Sequence, residues 1–546
     1  MKQKSYSHGL SPYALLGETI GENLRNTCNR FPQREALISV EQNYRATFSS
    51  FWQQVTTVAK AFLAIDVQKG DRVAIWAPNR YEWILVQYAT ARIGAILVNI
   101  NPAYRISELA YVLGQSGVSV MVSACSFKGS DYKIMINEVS KSNENLREVI
   151  FLDENWEDFL SKAKEISTER LEAIEGTLQF DHPINIQYTS GTTGFPKGVT
   201  LSHYNILNNG YFIGKRLKYS EWDKVCIPVP FYHCFGMVIG SLCCVSIGAC
   251  MVIPSESFDP LKVLHAVELE KCTSLYGVPT MFIAELQLPE FARFNLSSLK
   301  TGVMAGSPCP VEVMKQVQSL MNMKDVQICY GMTETSPVST QTVVGTSFEK
   351  QVGTVGLVQD HLEIKITDPE TGALQDRNVP GELCTRGYSV MLGYWNNATA
   401  TADVKDQAGW MHSGDLATMD DDGYVNIVGR IKDMILRGGE NIYPREIEEF
   451  LYTHASIADI QVIGVPSEKY GEEVMAWVKF KEGYFLTTEE LHQFCRSYIA
   501  DYKIPRYWKF VDAFPMTVTG KVRKVAMREQ AIEELALQDA ALIKTS

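Results

Sequence analysis

The run Tyr188-Thr-Ser-Gly-Thr-Thr-Gly-Phe-Pro-Lys197-Gly198 gathers three glycines, four small hydroxyl side chains and one lysine behind an apolar, strand-like segment at 184–188. Glycines let backbone N–H groups approach an anion closely, hydroxyls add donors, and lysine adds a point charge. Those residue types point to a phosphate-binding loop. The spacing is not that of the Walker loop, in which Gly-Lys leads straight into Ser or Thr. Here Pro196 precedes Lys197 and Gly198 follows it. A flexible Gly/Thr surface linker would use similar residues, but it would not follow a buried strand and carry a lone lysine in this way.

Three further clusters carry chemistry. Tyr330-Gly-Met-Thr-Glu334 sets an aromatic, a glycine, a hydroxyl and a carboxylate at a strand end. The ring can stack on a base, and the carboxylate can hold Mg²⁺ between phosphates. His412-Ser-Gly-Asp415 offers a carboxylate that could accept from two ribose hydroxyls, or else cap a turn. The third, Gly429-Arg-Ile-Lys-Asp-Met-Ile-Leu-Arg-Gly-Gly-Glu-Asn-Ile-Tyr-Pro444, sets charges around an apolar trio and a double glycine. A dense charge run often marks only a solvated face, but this one sits where the texture of the chain changes.

The elements that must position these groups can be read from hydrophobic patterning. Short β-branched runs at 72–77, 95–100, 118–122, 224–228, 273–276, 299–304 and 326–330 look buried on both faces, with helical patterns such as 81–94 between them. That alternation predicts βα units around largely parallel sheets, whose ligand-bearing loops follow the carboxyl ends of strands. Beyond Gly353 the chain turns to Gly/Asp-rich turns between short strands, a smaller β-rich region. From about Asp433 it becomes compact α+β, with a helix at 447–452, strands at 460–465 and 474–480, and a capping box, Thr487-Thr-Glu-Glu490, opening a helix toward Ile499. Met527, Ala531, Ile532, Leu535 and Ala536 recur at helical spacing. The expected fold is therefore α/β: a large N-terminal domain of stacked mixed and parallel sheets with a β-rich subdomain, residues 1–430, and a small mobile α+β domain, residues 431–546.

Composition sets the outer bounds. The 546 residues exceed what one ordinary core accommodates. A balance of 51 basic and 63 acidic residues, net −12, argues against nucleic acid as the main partner. Twelve cysteines lie without metal-like pairs or a Cys-x-x-Cys, as expected of reduced thiols in the cytoplasm. Met1 to Leu24 has no apolar core of the secretory kind. Residues 235–253 run 19 positions without a charge, enough to span a bilayer by length. The interruptions at Gly236, Gly240, Ser241, Ser246 and Gly248 favour a buried helix followed by a core strand. A soluble protein is expected, with peripheral membrane contact left open.

Taken in order, the YTSGTTGFPKG loop, Pro230-Phe-Tyr-His233-Cys-Phe-Gly236, YGMTE, HSGD, GRIKDMILRGGENIYP and Pro515-Met-Thr-Val-Thr-Gly-Lys521 resemble the AMP-forming adenylating superfamily of acyl-CoA synthetases, peptide-synthetase adenylation domains and luciferases. The resemblance runs from about Thr47 to Lys524. It implies ATP, Mg²⁺ and CoA as cofactor and co-substrates, and a two-step reaction through an acyl-adenylate. It implies that Thr189, Ser190, Gly191, Thr192, Thr193, Gly194 and Lys197 cradle the phosphates, with Thr192 and Glu334 near the metal. Gly306, Ser307 and Pro308, with Tyr330, Gly331, Met332 and Thr333, would form the adenine side, and Asp415 and Arg430 would hold the ribose. Lys521 would bridge the substrate carboxylate and the α-phosphate, and His233 would position the acid rather than move a proton. Lys432 would be the hinge, and Gly438, Gly439, Glu440 and Asn441 would serve the CoA side. Ser307 departs mildly from the family pattern, where Ala is frequent.

The segment Phe231-Tyr-His-Cys lacks the Asp with which peptide-synthetase domains meet an ammonium group. Asn79-Arg-Tyr-Glu-Trp and Asn99-Ile-Asn-Pro-Ala-Tyr-Arg105 look most like fatty acyl-CoA synthetases, particularly medium-chain ones. Gly302, Gly331 and Tyr276-Gly-Val-Pro-Thr280 would suit an uncharged channel. The expected reaction joins a medium- to long-chain fatty acid to CoA. The alternatives are a CoA ligase for an aromatic or other small carboxylate, a stand-alone adenylating enzyme, an ADP-forming phosphate-loop hydrolase and a membrane-associated nucleotide-binding protein. A homodimer is compatible with the sequence.

Overall fold

The computed structural model describes residues 3–189, 196–307, 309–437, 440–496, 498–517, 522–538 and 540. The expected short apolar runs are strands because both of their faces are covered. In the seven-stranded sheet the order is Gly393–Tyr394, Lys197–Ser202, Pro183–Thr189, Ile96–Asn99, Arg72–Trp76, Val120–Ser123 and Glu148–Phe151. The last five of these run parallel. The first three are antiparallel, so residues 190–195 join the strands of a hairpin, with Thr189 opposite Lys197.

A nine-stranded sheet holds Glu35–Ser39, Cys250–Ile253, Lys224–Cys226, Ser274–Gly277, Thr301–Ala305 and Asp325–Gly331 in parallel, with antiparallel strands at both edges. Side chains from both large sheets, among them Val73, Ile75, Val98, Val225, Tyr276 and Val303, share one core. Burial of each such side chain contributes roughly 1.5–3 kcal/mol. The helix Tyr81–Ile93 is buried over nearly its whole length, so its few polar residues are paired, Glu82 with Arg80 and Arg92 with Glu175. The charge-free run forms the wide-turned helix Phe235–Leu242, the helix Cys243–Ile247 and the strand Cys250–Ile253, all buried. Among the described residues no helix is long and apolar enough to cross a membrane.

The β-rich region is a five-stranded antiparallel sheet of Tyr6–His8, Leu362–Thr367, Gly381–Gly387, Met411–Met419 and Val425–Arg430. Its first strand comes from the chain's beginning, where the sequence suggests none. A separate C-terminal domain has its own sheet of Glu440–Ile442, Ile435–Arg437, Gly471–Phe480, Ile457–Ser467 and Tyr507–Phe510. One face packs Ile447, Leu451, Val462 and Val478; the other packs Val465, Trp477, Met527 and Ala531. The capping box is formed: the Thr487 N–H donates to Glu490 Oε2 at 2.8 Å, and the Glu490 N–H to Thr487 Oγ1 at 3.3 Å. Only the single turn Ile431–Asp433 and Met434 separate the strand Val425–Arg430 from Ile435–Arg437.

Candidate active site

Glu334 stands in the short turn Thr333–Thr335 that follows the strand Asp325–Gly331 and is 6% exposed. The Tyr394 hydroxyl donates to its Oε1 at 2.8 Å, and the Met391 N–H donates to its backbone carbonyl at 2.9 Å. Burial raises the carboxyl above its ordinary value, while Tyr394, its own N–H, Lys197 and Arg430 pull it back down. The ammonium of Lys197 lies 5.0 Å from the centre of the Tyr394 ring. Lys197, Tyr394 and Glu334 thus form one chain across the hairpin mouth. A buried carboxylate has the donor chemistry to hold a hard divalent cation, whose charge would favour its ionised form.

On the other side of the same turn, the Tyr330 hydroxyl donates to Asp415 Oδ2 at 2.7 Å, and Arg430 Nε lies 3.2 Å from Asp415 Oδ1. Asp415 and Arg430 are direct partners in neighbouring antiparallel strands. Burial, with the adjacent Asp415 charge, pushes the Tyr330 phenol well up, so it stays a neutral donor. Asp415 sits in a bulge: the ladder register slips between Glu382 and Cys384 opposite His412 to Leu416, and the Gly414 N–H donates to Glu382 Oε1 at 3.0 Å. Hydrogen bonding to Cys384 and Glu382 pushes His412 up to about 10.

His233 lies in the turn before the buried helix Phe235–Leu242. Its Nδ1 accepts the Phe235 N–H at 3.1 Å, which fixes the ring against the start of that helix. Cys234 Sγ stands 3.8 Å from Thr333 Oγ1, tying this turn to the Glu334 turn. The turn requires Gly236, because a Cβ there would lie 2.4 Å from the Pro230 carbonyl oxygen.

The structure therefore brings together Thr189 and Lys197 at the hairpin mouth, Tyr330 and Gly331 at the end of one strand with Met332, Thr333 and Glu334 in the turn that follows, and Asp415 with Arg430. Gly306 and Ser307 follow the neighbouring strand Thr301–Ala305. Ser190, Gly191, Thr192, Thr193, Gly194, Pro308, Gly438, Gly439 and Lys521 lie outside the described residues. The flanks of Lys521 meet in an antiparallel bridge between Met516 and Val522. Lys432 is exposed in its turn, Glu440 is exposed, and the backbone of Asn441 pairs with Leu436. Gly302 and Gly331, which the sequence suggests for an uncharged channel, both stand at close backbone approaches. A Cβ on Gly302 would meet the Leu275 carbonyl oxygen at 2.0 Å, and one on Gly331 the Pro337 carbonyl oxygen at 1.9 Å, so strand packing accounts for both. Tyr394 is the residue the sequence reading missed. It belongs to a two-residue edge strand with no periodic signal, and only the fold brings it to Glu334.

Residues 24–395 match the family described as AMP-binding enzyme, and residues 446–521 match the AMP-binding enzyme C-terminal domain. YngI of Bacillus subtilis (strain 168), whose name carries acyl-CoA synthetase as an unproven assignment, is 47% identical over 96% of this chain and 99% of its own. The mitochondrial medium-chain acyl-CoA ligase ACSF2 of Danio rerio is 42% identical over 98% of this chain and 91% of its own. The crystal structure of ATP-bound MatB from Rhodopseudomonas palustris aligns with a TM-score of 0.84 at 26% identity, covering 94% of this chain and 99% of that one. With matches of this extent on both sides of the residue 431–434 connector, the chain belongs to the AMP-binding enzyme family and stands among its acyl-CoA synthetases.

Proposed function

We propose that this chain is an AMP-forming acyl-CoA ligase acting on medium-chain fatty acids. The observation that carries the reading is the Lys197–Tyr394–Glu334 chain beside the Tyr330–Asp415–Arg430 cluster, a cation-and-phosphate arrangement next to one suited to a nucleoside. In the first step a carboxylate oxygen attacks the α-phosphorus of ATP. A P–O bond forms, the bond to the bridging oxygen breaks, and pyrophosphate leaves. Two anions must meet, so their repulsion has to be offset while they are held in line. Lys197 and the hairpin loop serve the phosphates, Asp415 accepts the ribose hydroxyls, and the Tyr330 face meets the adenine. Lys521 reaches the carboxylate and α-phosphate, and His233 orients the acid. Mg²⁺ would be held by Glu334 with Thr192 and would supply neutralising charge to the phosphates. In the second step the CoA sulfur attacks the acyl carbonyl and AMP leaves.

The division at residues 430/431 belongs to the same proposal. Lys432 pivots the C-terminal domain, so that Lys521 serves adenylation and the Gly438–Asn441 segment serves thioester formation. Twelve free cysteines support a reducing compartment such as the cytoplasm. The test is AMP release with and without CoA across acids of graded length, with benzoate and cinnamate included. Medium-chain acids are expected to give AMP, pyrophosphate and acyl-CoA. Release of ADP and inorganic phosphate would overturn the class, and a preference for the aromatic acids would overturn the substrate.

A further inference from the structure

Behind the Asp415 bulge lies a cluster that the adenylation chemistry does not use. Glu382 and Cys384 are two residues apart on one strand and so share a face, and Cys384 pairs directly with His412 on the next. His412 Nδ1 is 2.8 Å from Glu382 Oε2 and 3.5 Å from Cys384 Sγ, and one ligand atom from each of the three residues lies within 4.8 Å of the others. Among the described residues this is the one group of three or more His, Cys, Asp or Glu side chains so placed. The Cys384 side chain is buried, while the side chain of His412 is 35% exposed, giving a route from solvent.

We propose that Glu382, Cys384 and His412 form a binding site for Zn²⁺ or a similar borderline divalent cation, one that weakens nucleotide binding when occupied. A thiolate, an imidazole and a carboxylate are the donor types zinc takes, with bonds of about 2.3, 2.0 and 2.0 Å. Tetrahedral angles on those bonds require an S···N separation of about 3.5 Å and an N···O separation of about 3.3 Å. The first is already present at 3.5 Å, whereas the second must open from 2.8 Å. Binding displaces the imidazole Nδ1 proton and the thiol proton to solvent. Asp406 Oδ2, 3.9 Å from His412 Nε2, faces the ring's other nitrogen as an orienting carboxylate. The fourth position is left to water.

The coupling runs through Glu382. Its Oε2 would bind the cation while Oε1 already accepts the Gly414 N–H, one residue before Asp415. Opening the Glu382–His412 distance draws on that tether and shifts the bulge that carries Asp415. This part rests on Asp415 holding the nucleotide ribose; the cation site itself does not.

The test uses the full-length protein stripped of metal, with Co²⁺ as the spectroscopic probe. One equivalent is expected to bind with a thiolate-to-cobalt charge-transfer band. Cys384→Ser should abolish the band, and His412→Gln should weaken binding by at least about tenfold. No stoichiometric binding, or a band that persists in Cys384→Ser and so belongs to another thiol, would overturn the site. Should Cys384→Ser fail to fold by circular dichroism, Glu382→Gln replaces it and is expected to weaken Co²⁺ binding likewise; unchanged affinity would overturn the assignment. In a second arm, Zn²⁺ should lower calorimetric AMP affinity about tenfold in the wild type and leave Cys384→Ser unaffected. An equal response in both would overturn the coupling. Failure of AMP to bind at all would strike the proposed function, with the cobalt band still deciding the site.

Discussion

At the scale of single residues, the role proposed for Glu334 as a metal-holding carboxylate runs against stability. Its folded pKa is raised by burial, so the folded protein binds its proton more tightly than the unfolded chain does. Without a cation, stability is therefore lost as pH rises from the ordinary carboxylate range through the folded value. Glu334→Gln keeps the shape and removes that loss. The metal-free variant should melt higher than the wild type at neutral pH, and the gap should close toward pH 4. Adenylation should meanwhile fall and demand more Mg²⁺. Equal melting points across that range would show the carboxylate to be neutral for stability. Tyr394→Phe tests the neighbouring group. It deletes one hydrogen bond to a charged acceptor, worth about 1.5–3 kcal/mol, so adenylation should drop by about tenfold or more and recover partly at high Mg²⁺. A loss with no metal dependence would point to packing of the ring instead.

At the scale of elements, the site is held by close backbone approaches. Gly331→Ala would set a Cβ 1.9 Å from the Pro337 carbonyl oxygen, where backbone has to move. Overpacking of this kind costs about 1–3 kcal/mol or more, and the shift propagates to Glu334 three residues on. A lowered melting temperature with lost adenylation is expected; an unchanged melting temperature would mean the strand yields freely. Local pattern made most of these elements legible. Runs such as Arg72–Trp76 and Thr301–Ala305 are apolar on both faces because both faces are covered, and the loops that bear chemistry follow them. What the sequence hides is pairing at a distance. Tyr6–His8 is a strand because Leu362–Thr367 lies beside it, and no pattern within three residues announces that. Tyr394 reaches Glu334 by the same kind of long-range register. Gly302 shows the same limit: that a Cβ there would meet Met323 and the Leu275 carbonyl is set by neighbouring strands, and no local pattern announces it.

At the scale of the whole molecule, two predictions separate the half-reactions. Lys521→Ala should slow adenylation by about 10²–10³, the scale for losing one preorganised electrostatic donor, and spare thioester formation from supplied acyl-adenylate. Equal loss in both steps would count against the assignment. Lys432→Pro removes a donor and restricts φ within the one turn that joins the β-rich sheet to the C-terminal sheet. Thioester formation should slow far more than adenylation in single-turnover assays; parallel loss, or none, would move the pivot elsewhere. The contact from Arg445 Nη1 to the Ile427 carbonyl at 2.8 Å spans that joint and would have to break during rotation. A quieter consequence follows from the edge strand Gly393–Tyr394. Its flanking amides, Leu392 N–H to Thr200 O at 3.0 Å and Trp395 N–H to Gly198 O at 2.7 Å, close the outer side of the hairpin proposed to serve the phosphates. Those two amides are built-in gauges of how tightly the hairpin is clasped. Their deuterium uptake should slow when ATP occupies the loop, at a rate that reads the clasp separately from catalysis.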